Sequence, residues 1–173
     1  MSIVIFSRPI RTGKTTELLS WCNRQNNIAG VMMPEMEGKR KILNFATKEI
    51  YEIECTDPAN TEKELIRVGR FYFYADIFDQ VNAILSKTPI STPGWIVIDE
   101  VGKLELAGRG FYVPVKELIR ASQNNDLNSV LLLVVRQTLL NETLAFFKIE
   151  NYRLIHSLEG FSPLSRNDNH SVK

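Results

Sequence analysis

Residues 11 to 16 read Arg-Thr-Gly-Lys-Thr-Thr, and they follow the apolar run Ile3-Val-Ile-Phe6 at the start of the 173-residue chain. A buried strand, a turn and then a helix is the context in which Gly-Lys-Thr forms the second half of a phosphate-binding P-loop. Backbone N–H groups and the helix N-terminus hold a polyphosphate there, the lysine neutralises it, and the next hydroxyl binds magnesium. The predicted phosphate-binding residues are Arg8, Pro9, Ile10, Arg11, Thr12, Gly13, Lys14, Thr15 and Thr16.

The first half of this loop departs from the motif GxxxxGK[ST]. Arg8 stands six residues before Lys14, where the motif has its first glycine. The stretch therefore predicts phosphate binding, with Lys14 as the charged contact and Thr15 as a magnesium ligand. It leaves open whether the bound nucleotide is hydrolysed.

The composition is that of an ordinary globular protein, with 44% hydrophobic and 24% charged residues. Twenty-one basic and 20 acidic side chains give a net charge of +1, so neither nucleic acid nor a membrane is an expected partner. Cys22 and Cys55 lack a CxxC partner, and we expect two reduced thiols in a cytoplasmic protein. We expect one domain over residues 1–160 and a polar tail over residues 161–173.

Apolar runs alternate along the chain with stretches that have helical periodicity, which is typical of α/β proteins. We predict a mostly parallel sheet of five or more strands, helices on both of its faces, and a ligand over the carboxyl ends of the strands. The predicted strands are 3–6, 28–33, 71–74, 95–98, 130–135 and 152–155. The predicted helices are 15–25, 75–86, 111–121 and 139–147.

Residues 41–54 interrupt this alternation, since apolar and polar residues alternate there around the turn-like Thr47-Lys-Glu49. This pattern predicts a β-hairpin insertion over about residues 38–56. The charged run Glu35–Lys41 leads into it, and we interpret the run as a solvated turn rather than a ligand contact. The aromatic run 71–74 is interpreted as core, because no basic stripe accompanies it.

A second element of the site is Trp95-Ile-Val-Ile-Asp99-Glu100, an apolar run that ends in two carboxylates. A magnesium ion held by a P-loop hydroxyl needs an aspartate at the end of a neighbouring strand, and Asp99 fits that role. Glu100 is then placed to orient or deprotonate the attacking water. The alternative is that both carboxylates merely end a strand.

Two further cations follow predicted strands. Arg136 comes directly after the strand 130–135, where it either reaches a γ-phosphate as a catalytic residue or forms a surface salt bridge. Lys103 lies just past the carboxylates, and it either pairs with Glu105 or contacts the nucleotide. The two histidines lack metal-ligand spacing and are assigned no role.

The stretch Ile98-Asp-Glu-Val-Gly-Lys-Leu-Glu-Leu106, followed by Phe111, resembles the signature of the small P-loop nucleoside-triphosphatases, the cancer-related or thermophilic NTPase family. The resemblance extends through the P-loop, the hairpin and the stretch 68–72, and covers most of residues 1–158. It implies a three-layer, RecA-like α/β core and magnesium-dependent hydrolysis of ATP, GTP and other nucleoside triphosphates. The positions that match the family's functional residues are Lys14, Thr15, Asp99 and Glu100.

The loop is also where the chain departs from this family. Family loops read Gly-x-Pro-Gly-x-Gly-Lys-Thr, and Arg8 and Arg11 replace two of those glycines. A side chain forced into a left-handed conformation costs about 1–2 kcal/mol, and its bulk narrows the phosphate cradle. We expect weaker or altered phosphate binding, and a higher affinity when both arginines are changed to glycine. Alternatively, the arginines fold over the phosphates and add positive charge.

Three functions are consistent with these residues. The first is a magnesium-dependent nucleoside-triphosphatase, and the second is a nucleotide-binding switch or sensor with little turnover, which the altered loop favours. A nucleoside or nucleotide kinase is less favoured, because the sequence has no arginine-rich lid and no recognisable second-substrate motif. A guanine-specific switch is disfavoured because Asn-Lys-x-Asp does not occur.

Overall fold

The computed structural model describes residues 2–9, 12–88 and 94–161. Ile10 and Arg11 of the predicted phosphate loop and nearly all of the predicted tail therefore lie outside the described residues. The helices are α1 (Lys14–Cys22), α2 (Ala75–Leu85), α3 (Lys103–Leu106), α4 (Tyr112–Gln123) and α5 (Leu140–Phe147), with 3-10 turns at Pro58–Asn60 and Gln137–Leu139. The strands are β1 (Ile3–Arg8), β2 (Ile28–Met32), β3 (Glu35–Met36), β4 (Lys39–Asn44), β5 (Ile50–Glu52), β6 (Glu54–Cys55), β7 (Leu65–Val68), β8 (Phe71–Tyr74), β9 (Trp95–Val101), β10 (Val130–Arg136) and β11 (Arg153–Ile155).

The main sheet has eight strands in the order β11-β1-β10-β9-β2-β4-β3, with β5 paired to β4. Strands β11, β1, β10, β9 and β2 are mutually parallel, and the hairpin strands are antiparallel. Parallel strands are covered on both faces, which is why they read as continuous apolar runs. The predicted mostly parallel sheet and its hairpin are confirmed.

Alternate residues of β1 face two separate cores. Ile3 and Ile5 pack in a cluster that contains buried side chains of α2, α4 and α5, whereas Val4 and Phe6 pack with buried side chains of α1. Each fully buried side chain of this size contributes about 1.5–3 kcal/mol. The helices therefore lie on both faces of the sheet, as the sequence predicts.

A second sheet has three antiparallel strands in the order β6-β8-β7. The aromatic run predicted as a strand, β8, lies at the centre of this sheet and not in the parallel one. Strands β6 and β7 and helix α3 have two to four residues each, too few to produce a recognisable period in the sequence. Among the described residues, no helix is long and apolar enough to cross a membrane.

The parallel register brings the ends of three strands together at one edge of the sheet. Arg8 on β1 is the register partner of Arg136 on β10, and Val134 on β10 is the partner of Asp99 on β9. Strand β9 continues to Val101, beyond its predicted end, so both carboxylates lie inside the strand. The register shifts by one residue between Asp99 and Val101, which leaves Glu100 unpaired with β10 in a β-bulge.

Both cysteines are buried free thiols. Burial, reinforced by the charge of Asp99, raises the pKa of Cys22 to about 12. A thiol in that environment stays protonated and unreactive at neutral pH.

Candidate functional site

The turn before α1 ends at a glycine with a left-handed backbone conformation. Gly13 adopts a left-handed conformation, with φ +77°, immediately before the helix begins at Lys14. The first helical hydrogen bond runs from the Glu17 N–H to the Gly13 carbonyl at 3.0 Å. The N–H groups of the residues between them consequently have no acceptor within the helix, and such groups bind anions.

The ammonium group of Lys14 lies on the loop itself. It donates hydrogen bonds to the backbone carbonyls of Arg8, at 3.0 Å, and Pro9, at 3.2 Å. Burial lowers the pKa of Lys14, an effect that the nearby Glu100 and Asp99 carboxylates oppose. The Lys14 ammonium therefore contacts the loop and lies near the carboxylates of β9.

The Arg8 side chain holds the loop to its surroundings. Its guanidinium donates to the Thr12 carbonyl and forms an ion pair with Glu17 on α1. It also reaches the His156 carbonyl at 3.4 Å, and it does not line the cavity described below. In this structure Arg8 therefore contacts protein groups, and its position differs from one folded over bound phosphates.

Glu17 extends this network to the last part of the described chain. One carboxylate oxygen pairs with Arg8, and the other accepts hydrogen bonds from the Leu158 N–H at 2.6 Å and the Ser157 hydroxyl at 2.9 Å. Burial raises the pKa of Glu17, but these hydrogen bonds and the arginine charge outweigh it, so the pKa lies below its ordinary value. Glu17 could not be predicted as part of this network, because Ser157 and Leu158 are about 140 positions away in the sequence.

Asp99 is almost fully buried, with 5% of its surface exposed. Burial and the adjacent Glu100 raise the pKa of Asp99 to about 7, against the opposing charges of Lys14 and Arg40 and a hydrogen bond from the Met33 N–H. A carboxylate in this environment favours a nearby cation, because burial without one disfavours its charged form.

Glu100 forms an ion pair with Arg136, which donates through Nε to the Glu100 carboxylate. Of the two roles left open for Arg136, this structure therefore shows a salt bridge, and its partner is the carboxylate expected to activate water. Both side chains remain partly exposed, 28% for Glu100 and 46% for Arg136, so a ligand has access to the pair.

One cavity of about 130 Å³ joins the two motifs. Its lining residues are Thr15, Met33, Arg40, Val68, Phe71, Phe73, Asp99, Glu100, Gly102, Lys103, Leu104, Glu105 and Arg136. The cavity thus brings the P-loop hydroxyl, both carboxylates of β9 and the arginine after β10 to one place. A larger cavity of about 720 Å³ borders the hairpin, and it contains none of the predicted site residues.

Arg40 is a lining residue that the sequence analysis missed. It belongs to the charged run 35–41, which we interpreted as a solvated turn, and for Arg40 that interpretation is wrong. The side chain is half-buried and its charge acts on Asp99. The available signal was the hairpin itself, since a strand that returns beside the end of β2 brings its residues to the carboxyl edge.

The Glu105 carboxylate binds backbone N–H groups in the segment after β9. It accepts hydrogen bonds from the N–H groups of Gly102, at 2.9 Å, and Phe111, at 3.0 Å. Burial raises the pKa of Glu105 to about 7. Lys103 is exposed and lines the cavity, and no ion pair between Lys103 and Glu105 forms in this part of the chain.

The described residues contain no group of three or more His, Cys, Asp or Glu side chains that would hold a metal ion. Thr15 and Asp99, which share the cavity, offer two oxygen ligands. Magnesium prefers oxygen ligands and usually keeps several waters or substrate phosphate oxygens. The donor set fits a magnesium ion that binds together with a nucleotide.

Comparisons with known proteins identify the family and the fold. A family model described as NTPase matches residues 3–156. THEP1 from the hyperthermophile Aquifex aeolicus superposes with a TM-score of 0.66 at 17% identity, over 91% of each chain. A human cancer-related nucleoside triphosphatase gives a TM-score of 0.61 at 18% identity, over 90% of this chain and 88% of its own. No curated protein matches the chain in sequence. The fold is therefore the three-layer α/β fold of P-loop proteins.

Proposed function

The chain belongs to the NTPase family, and we propose that it hydrolyses nucleoside 5'-triphosphates, ATP and GTP among them, to diphosphates and phosphate in a magnesium-dependent reaction. One observation carries the proposal. A single cavity beside the open N-terminus of α1 is lined by Thr15, Asp99, Glu100 and Arg136. Phosphoryl transfer requires positioning and charge stabilisation above all, and this cavity gathers the groups for both.

In this proposal, the N–H groups at the start of α1 and the Lys14 ammonium bind the phosphate chain. Lys14 already lies next to the loop, and binding exchanges the carbonyls of Arg8 and Pro9 for phosphate oxygens. Hydrogen bonds from a charged donor to an anionic oxygen are about twice as strong as neutral ones, which favours the exchange.

Thr15 and Asp99 would hold the magnesium ion, whose charge, when it is bound, stabilises the negative charge that develops on the phosphates. Asp99 is held by a hydrogen bond from the Met33 N–H and lies in the same cavity as Thr15.

Glu100 accepts the proton of the attacking water and Arg136 stabilises the transferred phosphoryl group. The two roles are compatible only if the ion pair between them opens when the triphosphate binds. A phosphate oxygen then replaces the carboxylate as the partner of Arg136, and Glu100 becomes free to orient water. General bases contribute about 10²–10⁴-fold to a rate, and an arginine on the phosphoryl group about 10³–10⁵-fold.

A nucleotide-binding switch or sensor with little turnover is the second candidate. The contacts of Lys14 with its own loop and of Arg136 with Glu100 favour it, because both must be exchanged before hydrolysis. Either function uses nucleoside triphosphate and magnesium as ligands, and we propose a cytoplasmic location, where both are supplied and cysteines stay reduced.

The test is phosphate release from ATP and GTP with and without magnesium, by the wild type, Lys14→Ala and Glu100→Gln. Glu117→Gln, which changes an exposed glutamate on α4, is the matched control. We expect magnesium-dependent release by the wild type and the control, and loss of release in both site variants. Nucleotide binding without release from any triphosphate would reject the hydrolase in favour of the switch.

A further inference from the structure

Arg40 reaches the site from the hairpin insertion. In the antiparallel ladder of β3 and β4, Arg40 is the register partner of Glu35. Glu35 comes three residues after Met32, the last residue of β2. Met32 is in turn the register partner of Asp99. Arg40 therefore lies beyond the carboxyl edge of the sheet, on the side of β9 away from β1, and it lines the same cavity as Thr15.

The guanidinium of Arg40 has no carboxylate partner within ion-pair distance among the described residues. The backbone N–H of Arg40, rather than its guanidinium, donates a hydrogen bond to the Glu54 carboxylate at 2.7 Å. The other arginine of the cavity, Arg136, is paired with Glu100. A half-buried guanidinium without a hydrogen-bonded anion loses part of its hydration and keeps its N–H donors unused, so the site favours an anionic ligand at this position.

Phe71 holds this guanidinium in place. The ring of Phe71 also lines the cavity, and the Arg40 guanidinium carbon lies 5.7 Å from its centroid. An arginine over an aromatic face is oriented at low entropic cost while its N–H donors remain available. The packing thus fixes the cation and leaves its hydrogen bonds unused.

We propose that Arg40 binds the terminal phosphate of the triphosphate, opposite the P-loop, and thereby distinguishes nucleoside triphosphates from diphosphates. This inference rests on the proposed nucleotide site. The start of α1 and Lys14 hold the phosphate chain from the side of β1, whereas Arg40 approaches from the hairpin, across β9. The phosphate that both sides can reach is the outermost one, next to Asp99 and Glu100.

The charge of Arg40 agrees with this position. Arg40 lines the same cavity as Asp99 and Glu100, so its positive charge lies over the part of the cavity where the carboxylates of β9 lie. Together with Lys14 on the loop side, it would hold the most highly charged phosphate between two cations.

The experiment is a calorimetric titration with two probes, the non-hydrolysable ATP analogue AMP-PNP and ADP, each with magnesium. The proteins are the wild type, Arg40→Ala, Arg40→Lys and Arg67→Ala. Arg67 is the matched control, because it also lies over an aromatic ring, Tyr72 at 5.5 Å, but does not line the cavity.

We expect Arg40→Ala to raise the Kd for AMP-PNP about 10- to 100-fold and the Kd for ADP less than 3-fold, since one charged hydrogen-bonding group is lost from the terminal phosphate alone. Arg40→Lys should recover part of the affinity, and Arg67→Ala should bind both probes as the wild type does. Retained ADP binding shows that each variant is folded.

An equal loss for both probes, or no loss for either, overturns the assignment of Arg40. Titration needs no turnover, so a wild type that binds AMP-PNP without hydrolysing ATP rejects the hydrolase and still tests Arg40. A wild type that binds neither probe overturns both proposals.

Discussion

Arg136 at the end of β10 is hydrogen-bonded through Nε to the carboxylate of Glu100 in the bulge of β9. The two side chains lie at the rim of the cavity that Thr15 and Asp99 also line. While Glu100 holds the Arg136 guanidinium, the carboxylate oxygen that makes this contact is not available to orient water. In this structure the group proposed to orient water and the group proposed to bind the phosphate therefore occupy each other.

The first prediction concerns this pair. Arg136→Ala frees Glu100 but removes the cation from the phosphoryl group, and we expect kcat for ATP to fall about 10²-fold or more, because an arginine at that position is worth about 10³–10⁵-fold. Phosphate release at saturating ATP measures it, with Arg120→Ala, an exposed change on α4, as the control. A rise in kcat would show instead that Arg136 chiefly restrains Glu100.

The second prediction concerns the ion pair between Arg8 and Glu17. Their side chains are 22% and 24% exposed, and Glu17 also accepts hydrogen bonds from Leu158 and Ser157. A double-mutant cycle with Arg8→Ala and Glu17→Gln should show a coupling of about 1 kcal/mol in the free energy of unfolding, measured by urea denaturation.

The same ion pair changes the expected effect of Arg8→Gly on phosphate affinity. From the sequence, replacement of both Arg8 and Arg11 by glycine is expected to raise phosphate affinity, but Arg8 ties Thr12 of the loop to α1. Arg8→Gly should therefore weaken AMP-PNP binding, because the loop loses its anchor and gains backbone entropy. Tighter AMP-PNP binding by Arg8→Gly in calorimetry would agree with the expectation from the sequence and would contradict an anchoring role for the Arg8–Glu17 ion pair.

The third prediction separates backbone strain from function at Gly13. A Cβ on Gly13 or on Gly69 meets no atom within 4 Å, and both residues have positive φ, +77° and +60°. Gly13→Ala and Gly69→Ala should therefore cost a similar free energy of unfolding, about 1–2 kcal/mol. Only Gly13→Ala should also weaken nucleotide binding, because Gly13 adjoins the N–H groups at the start of α1 that are proposed to bind the phosphates. Equal nucleotide binding by both variants would place the phosphates elsewhere.

The fourth prediction is a pH dependence of stability from Glu105. Burial raises the pKa of Glu105 to about 7 from an ordinary value of 4.5, so the folded state holds a proton that the unfolded state releases earlier. This contribution to stability is complete below about pH 4.5 and is lost as pH rises to about 7, in total at most about 3 kcal/mol.

The comparison protein is Glu105→Gln, which cannot titrate. It loses the acceptor for one of the two N–H groups that Glu105 bonds, so it should be less stable than the wild type at low pH by about 1–3 kcal/mol. The difference between the two should narrow as pH rises from about 4.5 to about 7. A difference that stays constant across that range would contradict the shifted pKa.

Most of the fold could be predicted from the sequence, because buried parallel strands are continuous apolar runs. The boundaries of β1, β2 and β10 differ by one or two residues from those predicted. Strand β9 was predicted too short, because Asp99 and Glu100 are polar residues inside a strand, and the bulge that accommodates them is a pairing feature. Short elements such as β6 and α3 depend on tertiary contacts and have no local period.

For the site, motifs of contiguous residues were informative and contacts across the sheet were not. Lys14, Thr15, Asp99 and Glu100 were found from two short stretches, and the structure brings Thr15, Asp99 and Glu100 into one cavity. Arg40 was missed because the register of β3 with β4, rather than its neighbours in the sequence, places it there.

The position of β1 in the sheet has a consequence for synthesis of the protein. This first strand lies between β10 and β11, and the loop that follows it is anchored through Glu17 to Leu158. While the ribosome is still adding residues before Val130, β1 has no neighbour in its sheet, and Glu17 lacks its partners Ser157 and Leu158. Strand β1 is thus translated well before the strands that complete its native surroundings, and a nascent chain that stops before β10 cannot assemble the site.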